Sequence, residues 1–177
     1  SSYSNNNMVT DNTCNNNNYG IYLSLSSNNT VTGNTCNNNS RYGIYLSSSS
    51  DNTITGNTCN NNEYGIFLYS SSNNTVTGNT CNNNSVFDDN DYGSGIYLAS
   101  SCKNNTVTGN TCYNNSGGIS LDSSSNNTIT GNTCIRGTGK TSDYSLIQHT
   151  IRLHGTNNKY NLISSNNCMG KAVVIDG

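Results

Sequence analysis

The cysteines keep a period. Cys14, Cys36, Cys59, Cys81, Cys112 and Cys134 follow one another at steps of 22, 23, 22, 31 and 22 residues. Each after Cys14 closes or sits in a copy of one phrase: TVTGNTCNNN at 30–39, TITGNTCNNN at 53–62, TVTGNTCNNN at 75–84, TVTGNTCYNN at 106–115 and TITGNTC at 128–134. A second phrase follows: GIYL at 20–23 and 43–46, GIFL at 65–68, GIYL at 95–98 and GISL at 118–121. A worn copy ends the chain, with TIRLH at 150–154 and LISSNNC at 162–168. Repeats of this length, about seven of them, mark a solenoid. No unit can bury its own few apolar residues, so neighbours stack to build one continuous core.

The local pattern decides the kind of coil. Thr-Val-Thr and Gly-Ile-Tyr-Leu place apolar residues at every second position, the strand period. The abundant Asn, Ser, Thr and Gly are poor helix formers that favour turns. Hydrophobic residues are 31%, charged residues 9%, and Pro and Trp are absent. So polar a composition alone would suit disorder, and the strict period argues against it. Two or three short strands in 22 residues fit one turn of a parallel β-helix. The whole chain, 1–177, then reads as one solenoid, regular over 8–134 and irregular, with a long loop, over 135–177.

Stacked copies predict ladders about 4.8 Å apart. Val9, Val31, Ile54, Val76, Val107, Ile129 and Ile163 form one; Ile21, Ile44, Ile66, Ile96, Ile119, Ile151 and Val173 another; Leu23, Leu46, Leu68, Leu98, Leu121, Leu153 and Ile175 a third. Cys168 joins the six periodic cysteines in a fourth. Asn12, Asn34, Asn57, Asn79, Asn110 and Asn132 recur at the corner after Gly, where stacked amides can donate and accept along the column.

On these residues the run NNTITGNTxxNNxYGIYLSSSSNN resembles the right-handed, single-stranded parallel β-helix repeats of the NosD and carbohydrate-binding/sugar-hydrolase (CASH) type, in the pectate-lyase-like superfamily. Asn-rich versions are frequent in surface and secreted proteins of methanogenic archaea, adhesin-like proteins included. The resemblance implies the fold and an extracellular or cell-surface setting. It implies little about function, because the matching residues are scaffold.

The net charge of −2 gives no basic footprint for nucleic acid, and no apolar run approaches a membrane span. The chain opens inside a repeat and reads as a fragment or processed form. Sequons such as Asn28-Asn29-Thr30 arise by chance in so Asn/Thr-rich a chain.

The Cys column reads first as small buried hydrophobes in a tight stack. Disulfides are the alternative, though parallel Cβ vectors would strain them. A copper- or iron-binding thiolate column, suggested partly by the NosD resemblance, lacks a CxxC or paired Cys/His motif. Cys102 lies outside the column, at a turn.

Three surfaces are candidates for function. Thr-x-Thr recurs from Thr30/Thr32 to Thr128/Thr130 as a flat grid like those on ice-binding β-helices, or simply as good outward strand residues. Tyr22, Tyr45, Phe67 and Tyr97 form an outward aromatic file, either a platform for sugar rings or a self-stacking ladder. Tyr19, Tyr42, Tyr64 and Tyr92 precede the Ile-x-Leu strand, and inward parity in three of the four has them close the end of the core. The third candidate is where the repeat breaks. Expanded turns at 85–95 and 135–149 should flank a short one and make a cleft, with Asp88, Asp89 and Asp91 on one side and Arg136 and Lys140 on the other. The three Asp could also form a weak Ca²⁺ loop; no other cofactor is expected. His149 and His154 flank a strand there with opposite parity, which argues against a shared metal.

The expectation is an extracellular structural or adhesive repeat module, leaning away from an enzyme. Polysaccharide or cell-surface glycan is the candidate partner, and open ends offer self-association into fibres. The rival is a carbohydrate-active enzyme domain, lyase or hydrolase, with its site between 85–95 and 135–154. Ice binding on the Thr grid is a third reading.

Overall fold

A computed structural model describes residues 3–85, 93–136 and 149–170, with the backbone of the strand Val174–Ile175. Every strand pairing in it is parallel, and each joins one coil to the next. Three-residue strands of the Thr-Val-Thr type, from Met8–Thr10 to Leu162–Ser164, make a seven-stranded sheet. Six-residue strands make a second: Tyr19–Ser24, Tyr42–Ser47, Tyr64–Tyr69, Ser94–Ala99, Gly117–Asp122 and His149–His154, with Val174–Ile175 at its end. The Cys column carries a third sheet, Thr111–Tyr113, Thr133–Ile135 and Asn167–Met169, continued toward the N-terminus by single bridges through Thr80, Thr58, Thr35 and Thr13.

Corners need a left-handed residue, and the repeat supplies one at each. Gly33, Gly56, Gly78, Gly109 and Gly131 lie at φ 61–66°, where a Cβ is costly. Asn, the side chain that best tolerates this region, takes two further turns, as at Asn38 (φ 54°) and Asn73 (φ 57°), and Ser or Leu the one after each long strand, as at Ser48 (φ 49°).

The aliphatic ladders occupy the interior as the spacing predicts. Val31, Ile44, Leu46, Ile54, Ile66 and their copies in the central coils are fully buried in one cluster with the Cys column, while Val9, Ile163, Cys14 and Cys168 in the end coils are partly buried. Val173 lies outside the described residues, as does the side chain of Ile175. All eight cysteines are free thiols. Burial pushes the Cys59 thiol well above its usual range. Cys102 is buried too, and takes the place of a serine. Ser26 N–H donates to Ser49 Oγ and Ser49 N–H to Ser71 Oγ, both at 3.0 Å, and Ser71 N–H reaches Cys102 Sγ at 3.4 Å.

The Asn corner is a wired column. Asn57 N–H and Nδ2 both donate to Asn79 Oδ1, at 2.9 and 3.0 Å, and Asn79 repeats both bonds to Asn110 Oδ1 at 2.9 Å. Two more columns of the same design run beside it. One passes through Asn29, Asn52, Asn74, Asn105 and Asn127, the other through Asn39, Asn62, Asn84 and Asn115. In these columns the N–H and Nδ2 donors of one coil point to the acceptor of the next. Buried amides are thereby satisfied without water.

One expectation fails. Tyr42 and Tyr64 do not close the core; they lie on the outer face, packed with Tyr45 and Phe67. The cause is Gly43 and its copies. A Cβ on Gly43 would sit 2.9 Å from Cys59 Cβ, so Gly43 faces inward, and the next residue, Ile44, is also inside. Two successive inward residues break the alternation and throw Tyr42 outward. Tyr92 lies outside the described residues.

Candidate functional site

The inward Gly sets three outward columns on the long-strand sheet. One passes through Tyr19, Tyr42, Tyr64, Ser94, Gly117 and His149; the middle one through Tyr22, Tyr45, Phe67, Tyr97, Ser120 and Arg152; the third through Tyr69, Ala99, Asp122 and His154. The N-terminal half of this face is aromatic and the C-terminal half polar.

The aromatic half is a self-stacked ladder. Ring centroids of Tyr22, Tyr45, Phe67 and Tyr97 follow at 5.0, 5.4 and 5.1 Å, with planes within 26° of parallel. Tyr19, Tyr42 and Tyr64 stack alongside. Ring faces meet ring faces, and Phe67 is only 8% exposed, so edges and hydroxyls, not faces, point to solvent. Tyr22, 51% exposed at the end of the file, is the exception. Burial holds the Tyr42 hydroxyl up at about 12, with a smaller opposing pull from Arg41.

The polar half is where chemistry gathers. The Tyr97 hydroxyl lies 3.4 Å from Asp122 Oδ2 and 3.5 Å from His154 Nε2. His154 Nδ1 is 4.0 Å from Asp122 Oδ1, and the imidazole stacks on the Tyr97 ring at 5.9 Å. Both side chains are reachable, Asp122 at 34% and His154 at 24% exposure. Arg152 lies on the same face, one column over. Beside them is a buried chain. His149 Nε2 is 2.8 Å from Ser120 Oγ, which is 2.9 Å from Ser94 Oγ. Gly117 makes room for it, since a Cβ there would meet His149 Nε2 at 2.6 Å.

His149 and His154 therefore share the outer face, contrary to the parity argument. His149 stands where Tyr42 stands, before the inward position held here by Thr150, which is buried. The two imidazoles nonetheless serve different partners, one in the buried serine chain and one at Tyr97 and Asp122. Arg136 lies at the base of the second long loop, on the Cys-column side, its N–H bonded to the Met169 carbonyl at 2.9 Å. Asp88, Asp89, Asp91 and Lys140, and with them the expected cleft and Ca²⁺ loop, lie outside the described residues. Among the described residues no three His, Cys, Asp or Glu side chains are grouped to hold a metal ion, and no helix is long and apolar enough to cross a membrane.

Sequence reasoning missed Asp122, Arg152 and Ser120. Writing the repeats in register would have found them, because each breaks a column otherwise held by aromatic residues, Ser or Ala.

Solved structures with the same architecture are larger. A double mutant of the periplasmic alginate epimerase AlgG is 27% identical, with TM-score 0.72, over 96% of this chain and 38% of its own. The enzymatically active domain of bacteriophage CBA120 tailspike protein 2 is 16% identical, with TM-score 0.70, over 91% and 25%. The A-module of the Azotobacter vinelandii mannuronan C-5 epimerase AlgE4 is 16% identical, with TM-score 0.63, over 99% and 46%. The chain thus spans between a quarter and a half of each. No curated protein matches it. The family model described as right handed beta helix region matches residues 1–111, and that of the periplasmic copper-binding protein (NosD) matches residues 80–175. The chain belongs to the right-handed parallel β-helix proteins, with its C-terminal half of the NosD type.

Proposed function

We propose that this chain is a polysaccharide-binding module of the cell envelope or exterior, with its site on the outer face of the long-strand sheet. One observation carries this reading: Tyr97, Asp122 and His154 converge at a partly exposed point on a chain with few charges, at the end of an aromatic file. A phenol, a carboxylate and an imidazole offer the mixed donors and acceptors that sugar hydroxyls require, and Arg152 adds a cation beside them. The likeness to the alginate epimerase AlgG supports a glycan partner. The sugar contacts we infer are to hydroxyls and ring edges from Tyr45 to Tyr97, with face stacking confined to Tyr22.

The test is binding to a panel of acidic and neutral polysaccharides by affinity electrophoresis. Retardation by at least one of them that is lost in Asp122→Ala and His154→Ala, with unchanged thermal unfolding, supports the site. Equal retardation of wild type and both variants would place binding elsewhere.

A second reading has its own observation. A hydroxyl within about 3.5 Å of both an acid and an imidazole is an arrangement for proton transfer. In it Tyr97 exchanges a proton with the glycan, and His154 and Asp122 set its protonation. Proton NMR of a bound polysaccharide over time decides: new sugar signals, absent with Tyr97→Phe, make the module an enzyme, and an unchanged spectrum makes it a binder. Copper enters neither reading. The residues do not fit it: the thiols from Cys36 to Cys134 are buried among apolar side chains, and among the described residues no three His, Cys, Asp or Glu are grouped to hold the ion.

A further inference from the structure

A different face of the solenoid carries a second, unrelated pattern. The Thr-x-Thr strands stack in strict register: Thr30, Thr53, Thr75, Thr106 and Thr128 in one file, Thr32, Thr55, Thr77, Thr108 and Thr130 in the next. Between the files runs the buried Val/Ile ladder, so both Thr of every strand point outward and each is partly exposed. Parallel strands set about 4.8 Å between coils, and two residues of rise set about 6.7 Å between files. These repeats lie close to the oxygen spacings along the a and c axes of hexagonal ice.

Two further observations bear on what the face can hold. From Thr30 to Thr128 the hydroxyls make no hydrogen bond to any described residue; only at the two ends of the sheet do hydroxyls pair, Thr130 with Ser164 at 3.3 Å and Thr10 with Asp11 at 3.0 Å. The central array therefore has donors and acceptors available to water. None of the seven strands carries a charged residue to bind disordered hydration. Threonine methyls between the hydroxyls favour ordered water over the face, and the hydroxyls can anchor it.

We propose that the Thr face binds ice, through an ordered layer of water held on its two hydroxyl files. Rigidity is the requirement that a solitary sheet would not meet. Here the fully buried Val/Ile ladder and the Asn corner column fix the files from behind.

The experiment measures thermal hysteresis and inhibition of ice recrystallisation on the whole chain. The variants are Thr77→Tyr and Thr55→Lys on this face, and Tyr22→Ala on the aromatic face as control. The expected result is hysteresis in the wild type and in Tyr22→Ala, with loss of most of it in both Thr variants and circular dichroism unchanged. Two separated Thr sites guard against one variant failing to fold. No hysteresis or ice shaping in the wild type overturns the proposal. Activity retained in both Thr variants overturns it too, as does adsorption of the Thr face to crystalline polysaccharide without ice activity. None of these outcomes touches the glycan site at Tyr97, which lies on another sheet.

Discussion

Replacing Asn79 by Ala tests the claim that amide columns, as much as the narrow core, hold the coils together. Asn79 Oδ1 accepts from both Asn57 N–H and Asn57 Nδ2, and Asn79 Nδ2 donates to the carbonyls of Ile54 and Thr77 and to Asn110 Oδ1. Asn57 Nδ2 keeps the Val31 and Thr55 carbonyls, and Asn110 Oδ1 keeps Asn79 N–H. One group loses out: the Asn57 N–H, left with no acceptor at a buried corner, while the Ile54 carbonyl gives up one donor but stays in the ladder of its paired strand. At about 1–3 kcal/mol for a buried group left unmet, the loss is about 1–3 kcal/mol. Asn12 heads the same column but is exposed, so Asn12→Ala costs under about 1 kcal/mol. Urea unfolding followed by circular dichroism compares the two, with equal m-values as the condition for reading midpoints as stability. Asn79→Asp separates hydrogen bonding from packing. It keeps the acceptor, loses the donor and sets a buried carboxylate against Asn110 Oδ1, so part of its loss returns on acidification. Equal costs at Asn12 and Asn79 would refute the reasoning, leaving the core ladders as the sole source of cohesion.

Three other outcomes follow from the same geometry. Gly43→Ala pushes a Cβ to 2.6 Å from the Gly65 carbonyl and 2.9 Å from Cys59 Cβ, and the overpacking should cost about 1–3 kcal/mol in the same unfolding assay. Cys102→Ser restores the run of serines from Ser26 to Ser71 and puts a stronger acceptor before Ser71 N–H. It should leave the thermal midpoint unchanged or raised, whereas Cys59→Ser, in the apolar core, should lower it. Tyr42 is raised from 10.0 to about 12 chiefly by burial, so above pH 10 the unfolded chain releases its proton first. Its stability contribution is complete below pH 10 and lost as pH climbs toward 12, and Tyr42→Phe should flatten that part of the stability–pH curve.

The aliphatic and Cys ladders were legible because a fixed period forces copies into register, and register needs no knowledge of side-chain direction. The outer face was not, because direction was inferred by counting alternate residues from Ile44. One inward glycine defeats that count: Gly43 has no Cβ to betray its orientation in a sequence, yet it turns Tyr42 and, through its counterpart Thr150, His149 to the outer side of the sheet, where neighbouring side chains cover them. The same blindness hid two of the three Asn columns. In NNN and SNN runs each Asn looks alike, and only the left-handed residue just before decides that Asn39 and Asn74 turn inward while Asn38 and Asn73 turn out. The polar site was hidden by distance. Tyr97 and Asp122 are 25 residues apart and Tyr97 and His154 are 57 apart, and the 31-residue step interrupts the count near Tyr97. What the sequence did show is where to look. Coils that repeat faithfully stack aromatic on aromatic and spend their side chains on one another. Once Ser120 and Arg152 replace the ring in the middle column and Asp122 and His154 enter the next, the face carries polar and charged groups in place of stacked rings. A solenoid gains a place for a ligand where its repeat is broken, and here the break and the convergence of acid, phenol and imidazole fall on the same coils.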